Sequence, residues 1–340
     1  MRDFCVSKPV MEIVSAPASN KGTLRQLLGF SRQREWLFGS LLPLFGTFFL
    51  AALRDESQLK PSIVAGWFAV VLFATACGYM VNNLADLEVD QLAGKAIPLN
   101  HWTYGARLVV ALIFEATSLL LTVLLADLWT VAAVVFFHLI VWLYSFPPRL
   151  KEHRWLGPVA AATQFWAPSA VVLMAWRLAF PAAICWIAML CVYGLRITIV
   201  HQVIDRKSDI ATGIVTTVVT MRESTVRFLL RALFSVEICL CLLLVVFLLP
   251  EPWVKLTLPL LLLPAANVFW RWRQGQQIRL DTYEYVPLSE LYETVLPLML
   301  GVAVFAQYGT RVVWALAALS IFLLMRHSGR LPLRAFSAAT

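Results

Sequence analysis

Asn82, Asp86 and Asp90 stand four residues apart where an apolar run gives way to a polar segment, and His201, Asp205 and Asp209 repeat that spacing further along the chain. On an α-helix, residues i, i+4 and i+8 fall nearly in line, so each trio predicts a row of polar side chains on one helix face. Like charges at this spacing repel by about 0.2–0.5 kcal/mol. Two such rows facing each other are therefore disfavoured unless a cation lies between them. Mg²⁺ suits carboxylates at the mouth of a helix bundle, because it keeps its waters and bridges carboxylates to phosphate oxygens. A single row would be an ordinary solvated helix end. The second copy, also followed by a glycine at the next four-residue step (Gly94 and Gly213), argues for a paired Mg²⁺–diphosphate site.

Basic residues accompany the rows. Lys95 follows the first, and Arg149 and Lys151 lie in YSFPPRLK, residues 144–151, where Pro147 and Pro148 must end a helix. Arg and Lys bind diphosphate oxygens and stabilise a departing diphosphate, although basic loops also serve simply to anchor membrane helices. Arg206 and Lys207 admit both readings.

The elements that must hold these residues are transmembrane helices. The chain is 60% hydrophobic and 14% charged, with mean hydropathy +0.75, whereas soluble domains carry about 25% charged residues. Apolar runs of roughly 18 or more residues recur. They fall near 36–53, 63–85, 105–126, 129–146, 156–176, 180–204, 227–249, 253–270, 290–308 and 310–326, nine or ten spans according to whether the last two are one interrupted segment. The predicted fold is an all-α polytopic transmembrane helical bundle spanning 31–328, between a partly disordered tail at 1–30 and a second tail at 329–340. The runs do not alternate as β-barrel strands do.

Lys and Arg crowd the N-terminal tail, the loops after the even-numbered spans and the C-terminus, which puts these and both acidic rows in the cytoplasm. The net charge of +8 is then membrane anchoring, not a nucleic-acid footprint. All cysteines but Cys5 lie in apolar runs without metal-ligand spacing and read as core residues.

VNNLADLEVDQ resembles the N-x3-D-x3-D motif of the UbiA-type intramembrane prenyltransferase superfamily, YSFPPRLK resembles that family's segment after its fourth helix, and DRKSDIATGIVT resembles its second motif, here Asp205, Asp209, Gly213 and Thr216. The similarity runs from about residue 32 to 310. Some members begin the first motif Asn-Asp where this chain has Asn82-Asn83, and some begin the second with Asn in place of His201. The resemblance implies a bundle of nine helices with the active site under a cap of cytoplasmic loops. It implies Mg²⁺-dependent transfer of an isoprenyl group from its diphosphate to a small hydrophobic acceptor in the bilayer, most commonly an aromatic or quinone precursor.

On this basis Asp86, Asp90, Asp205 and Asp209 are expected to hold Mg²⁺ with Asn82, and Lys95, Arg149 and Lys151 to neutralise the leaving diphosphate. Tyr144 is expected at the substrate, Tyr79 and Tyr193 being further aromatic candidates for sheltering an allylic cation. His201 either hydrogen-bonds to the diphosphate or acts as an acid/base near neutral pH, or else caps or pairs with Asp205. Arg196, five residues before it, is expected to reach the site, while Glu115, His138 and Glu237 read as intramembrane polar packing. Three alternatives stand beside the aromatic acceptor: a lipid alcohol or phosphosugar acceptor, a terpene cyclase that needs none, and a transporter, which would place its acids near mid-membrane. The bacterial inner membrane and organelle membranes are both compatible.

Overall fold

The computed structural model describes residues 23–32, 37–92, 99, 101–273 and 291–328; all helices below lie among them. Helix α1 (Thr23–Phe30) is followed by a π-helical turn (Leu37–Leu41), α2 (Leu42–Ala52), α3 (Pro61–Ala85), the short α4 (Leu87–Leu92), α5 (Tyr104–Leu125) and α6 (Leu128–Ser145). Then come α7 (Leu156–Ala175), α8 (Pro181–Thr212), α9 (Glu223–Leu248), α10 (Pro252–Thr257), α11 (Leu262–Arg273), α12 (Leu296–Tyr308) and α13 (Val313–Ser328). Among the described residues seven helical stretches are long and apolar enough to cross a membrane, with Leu291–Arg326 counted as one. There is no strand among the described residues.

Local chemistry sets the boundaries. The Thr103 and Asp127 side chains accept the Ala106 and Thr130 amides and so cap α5 and α6. Prolines open α3, α8 and α10, where a missing N–H costs nothing. Gly213, at φ 74°, closes α8 in the left-handed conformation that glycine adopts without steric cost, and Ile214 N–H returns to Asp209 C=O. Helix α8 runs eight residues beyond the apolar run expected at 180–204, so both acids of the second motif, Asp205 and Asp209, are helical. The run expected at 253–270 is broken instead: a 3₁₀ turn containing Pro259, which lacks an N–H, separates α10 from α11.

Every residue of α2 is buried, and α2 packs against α12, α7 and α8. Phe45, Phe48 and Phe49 from α2, Trp186 from α8 and Met299 from α12 lie within this core. α5 and α9 turn apolar side chains outward, among them Leu124 and Phe228 at 71% and 72% exposed, as a lipid-facing surface does. At Gly309 the chain reverses. Arg326 donates to Thr294 Oγ1 at 2.8 Å, and a Cβ on Gly301 would stand 2.8 Å from Leu316. Residues 291–308 and 313–328 are thus two antiparallel legs, not one interrupted segment.

α1 falls wholly inside the tail expected at 1–30. It is folded onto the bundle because Phe30, 2% exposed, and Leu27 pack with Cys77, Met80, Val81 and Leu84 of α3. Residues 1–22 and 329–340 lie outside the described residues.

Candidate active site

The first row spans a helix break. Asp86 leaves helical geometry at φ −96° and ψ 3°. The hydrogen-bond ladder nevertheless continues, Asp86 N–H to Asn82 C=O at 3.0 Å and Asp90 N–H to Asp86 C=O at 2.8 Å. The row therefore keeps its alignment from α3 into α4. Beside it lies the turn after α6, which Pro147 and Pro148 force out of the helix, with the 3₁₀ segment Leu150–Glu152 behind it. Arg149 sits there at φ 54° and donates from Nη2 to Asp86 Oδ1 at 3.1 Å. The Lys151 ammonium donates to the same oxygen and reaches Asn82 Oδ1 at 3.4 Å. Arg149 Nε also meets Glu152 Oε1 at 2.9 Å. Burial pulls the Lys151 ammonium below the usual lysine range, and the Asp86 carboxylate offsets part of that.

The second row lies at the same end of the bundle. Asp86 of the first row and Asp209 of the second are both within electrostatic reach of the Tyr144 hydroxyl, as is Arg32. Thr216 Oγ1 donates to Asp209 Oδ2 at 3.2 Å, and Thr217 anchors the following turn on Arg154 C=O. His201 and Asp205 are exposed at the mouth and interact with each other. Asn82, Asp86, Asp90, Tyr144, Arg149, Lys151, His201, Asp205 and Asp209 are thus gathered at one end of the bundle. Lys95 lies outside the described residues.

Arg196 is the exception. It sits on α8 five positions before His201, which is about 140° around the helix, so it points away from the row. Its guanidinium instead grips Glu237 of α9 with two bonds, at 2.5 and 3.2 Å, both side chains buried. Tyr193 is likewise engaged elsewhere: its hydroxyl donates to Glu293 at 3.0 Å and its ring stacks on Tyr292 at 4.3 Å. Glu115 accepts from Trp142 Nε1 at 3.1 Å, and His138 Nε2 bonds Ser118 Oγ at 2.7 Å, the polar packing that their place within spans predicted.

Arg32 and Asn83 join the site without having been singled out as site residues. Asn83 Nδ2 donates to Phe30 C=O at 2.7 Å, and Arg32 Nε donates to Asn83 Oδ1 at 3.1 Å. Arg32 is also within electrostatic reach of His201. The Asn83 amide thus ties α1 to the first motif. The only sequence signal was the Asn-Asn departure itself.

A family model described as the UbiA prenyltransferase family matches residues 41–282. The chain belongs to the UbiA prenyltransferase family. It is therefore an integral membrane protein of the prenyl-transferring class. No curated protein sequence matches. Among solved structures, a UbiA homologue from Archaeoglobus fulgidus aligns at TM-score 0.59 with 17% identity, covering 87% of this chain and 99% of that one. The same protein bound to DMAPP and Mg²⁺ aligns at TM-score 0.57 with 16% identity over 82% and 99%. A digeranylgeranylglyceryl phosphate synthase aligns at 0.54 with 15% identity over 83% and 97%. At these identities the likeness establishes the UbiA fold.

The expected donor set is of the kind Mg²⁺ takes. It is all oxygen: four carboxylates and the Asn82 amide. Among the described residues no three or more His, Cys, Asp or Glu side chains lie close enough together to hold a metal ion by themselves. Mg²⁺ does not require such a cluster, because it takes one or two carboxylates and completes its shell with phosphate oxygens and water.

Proposed function

We propose that this UbiA enzyme transfers an isoprenyl group from its diphosphate, with Mg²⁺, to an aromatic or quinone-precursor acceptor dissolved in the membrane. The observation that carries the reading is the convergence of Arg149 and Lys151 on Asp86 of the first row, while the turn that follows Asp209 of the second row is anchored through Thr217 on Arg154 C=O, just beyond those two cations. Two acidic rows and two fixed cations at the mouth of an apolar bundle suit a ligand with a charged head and an apolar tail. The fold is shared with proteins solved with DMAPP or GPP and Mg²⁺.

Asp86, Asp90, Asp205 and Asp209, with Asn82, would hold Mg²⁺, which when bound neutralises diphosphate charge and favours its departure. The chain's own residues carry the remaining work. Arg149 and Lys151 already converge on one oxygen, so a diphosphate entering beside Asp86 meets donors that need little reorganisation. They stabilise negative charge as the C1–O bond breaks. The Tyr144 ring, half-buried at the end of α6, shelters the allylic cation. Thr216 holds Asp209 in place. His201 contacts the diphosphate, and Lys95 adds a further cation. The positive-inside pattern makes this the cytoplasmic end.

The test is purified enzyme in lipid nanodiscs with allylic diphosphates of increasing length, scored for diphosphate release with and without Mg²⁺ and with aromatic or lipid-alcohol acceptors. Mg²⁺-dependent release that waits for an aromatic acceptor is expected. Release without an acceptor would mark a cyclase, and release only with a lipid alcohol would overturn the acceptor assignment.

A further inference from the structure

Six buried side chains form a polar chain inside the membrane region, away from the acids. Arg196 grips Glu237, and Tyr292 donates to Glu237 Oε2 at 3.0 Å. Tyr292 stacks on Tyr193, whose ring also lies under Arg196, 5.6 Å from the guanidinium carbon. Tyr193 donates to Glu293, and Glu293 pairs with Arg326 at 2.5 Å. Arg196 is 2% exposed and Glu237 fully buried. The chain links α8 to α9, to the turn before α12 and to α13. Two arginines and two glutamates balance in charge, so each buried ion keeps a partner.

Its placement on α8 is what gives it consequence. Arg196 and Cys185 are eleven positions apart, about three full turns, and share a face. Both face α9, where Cys185 Sγ meets Leu240 C=O at 3.1 Å. Gly194 and Asp205 are also eleven positions apart and share the opposite face. Gly194 lies so close to α7 that a Cβ there would stand 2.9 Å from Ala162 C=O. Asp205 is nine positions, about two and a half turns, from Arg196. The buried arginine therefore pins α8 from directly behind its acidic row.

We propose that Arg196, locked by Glu237 and Tyr292, is a positioning residue that sets the rotation of α8 and so aims Asp205 and Asp209 at the first acidic row. This rests on the reading that the two rows share a Mg²⁺–diphosphate. A bidentate pair resists rotation about the helix axis in a way that apolar packing of similar volume does not. Misplacement by about 1 Å at a catalytic constellation can cost about a hundredfold in rate.

The experiment uses full-length enzyme in nanodiscs with spin labels at the exposed positions 88, beside the first row, and 210, beside the second, introduced as noncanonical residues. Pulsed-EPR distances are recorded together with the Mg²⁺ concentration for half-maximal turnover. Arg196→Met is expected to broaden or shift the 88–210 distance and to raise the Mg²⁺ requirement about tenfold. Arg196→Lys, which keeps the charge but loses the two-pronged grip, should fall between. Because Arg196→Met strands Glu237 and can fail to fold, the triple variant Arg196→Met/Glu237→Leu/Tyr292→Phe removes all the polar partners together. A folded triple variant with a displaced distance and raised Mg²⁺ requirement supports positioning. Wild-type distance and Mg²⁺ requirement in the triple and in Arg196→Lys overturn it. Wild-type enzyme lacking Mg²⁺-dependent diphosphate release would defeat the site reading instead, while the distances would still judge the brace.

Discussion

Replacing Asp86 by Asn separates the structural from the catalytic worth of the first row. The Asp86 carboxylate receives both Arg149 and Lys151 on one oxygen. A charge-assisted hydrogen bond contributes about 1.5–3 kcal/mol. Asp86 and Arg149 are 21% and 28% exposed, so solvent screens part of that. Asn keeps one acceptor oxygen in nearly the same place. The net loss of stability should then be about 1–2 kcal/mol, a fall in melting temperature of about 2–6 °C. Turnover should fall much further. Deleting one preorganised group from a charge-stabilising site costs about 2.7–4 kcal/mol, or about 100- to 1,000-fold. The assay is allylic diphosphate turnover across a Mg²⁺ titration, with unfolding of the same preparation followed by fluorescence. If Asp86→Asn melts as expected but turns over within about threefold of wild type at every Mg²⁺ concentration, Asp86 holds only its neighbouring cations. Asp86 then drops out of the catalytic assignment.

Three further outcomes follow from the geometry. Gly194→Ala puts a methyl against the Ala162 carbonyl, and a strained fit should cost about 1–3 kcal/mol; thermal unfolding and turnover should fall together. Asn83→Ala removes the amide that receives Arg32 and grips Phe30 C=O; limited proteolysis should cut near α1 sooner, and diphosphate KM should rise more than kcat falls. Asp127 has its carboxyl pulled below the usual Asp range by hydrogen bonds from the Thr130 hydroxyl and amide. The stability it contributes is present above the ordinary Asp pKa and is lost as pH falls through the lowered one. Asp127→Asn should therefore flatten the acid limb of thermal stability without changing turnover at neutral pH.

What could be foreseen divides along a physical line. The two rows, the prolines ending α6 and the cations after them were legible because each depends on spacing within a few residues or on the forbidden geometry of proline. Apolar run length located most helices for the same reason, and it failed at 253–270, where Pro259 removes a donor inside the run. The second class depends on which way a helix is turned. Arg196 was expected at the site by its nearness in sequence to His201, yet five residues on a helix is more than a third of a turn off the row. Only the packing of Gly194 on α7 and Cys185 on α9 fixes which face looks inward. Arg32 belongs to a third class: its side chain reaches Asn83 across 51 positions, from a backbone turn at φ 49° that no local pattern announces. An intramembrane arginine thus signals a buried partner more dependably than it signals a substrate. Charge in the bilayer must be paired wherever it sits, whereas reaching the site requires the right rotation as well.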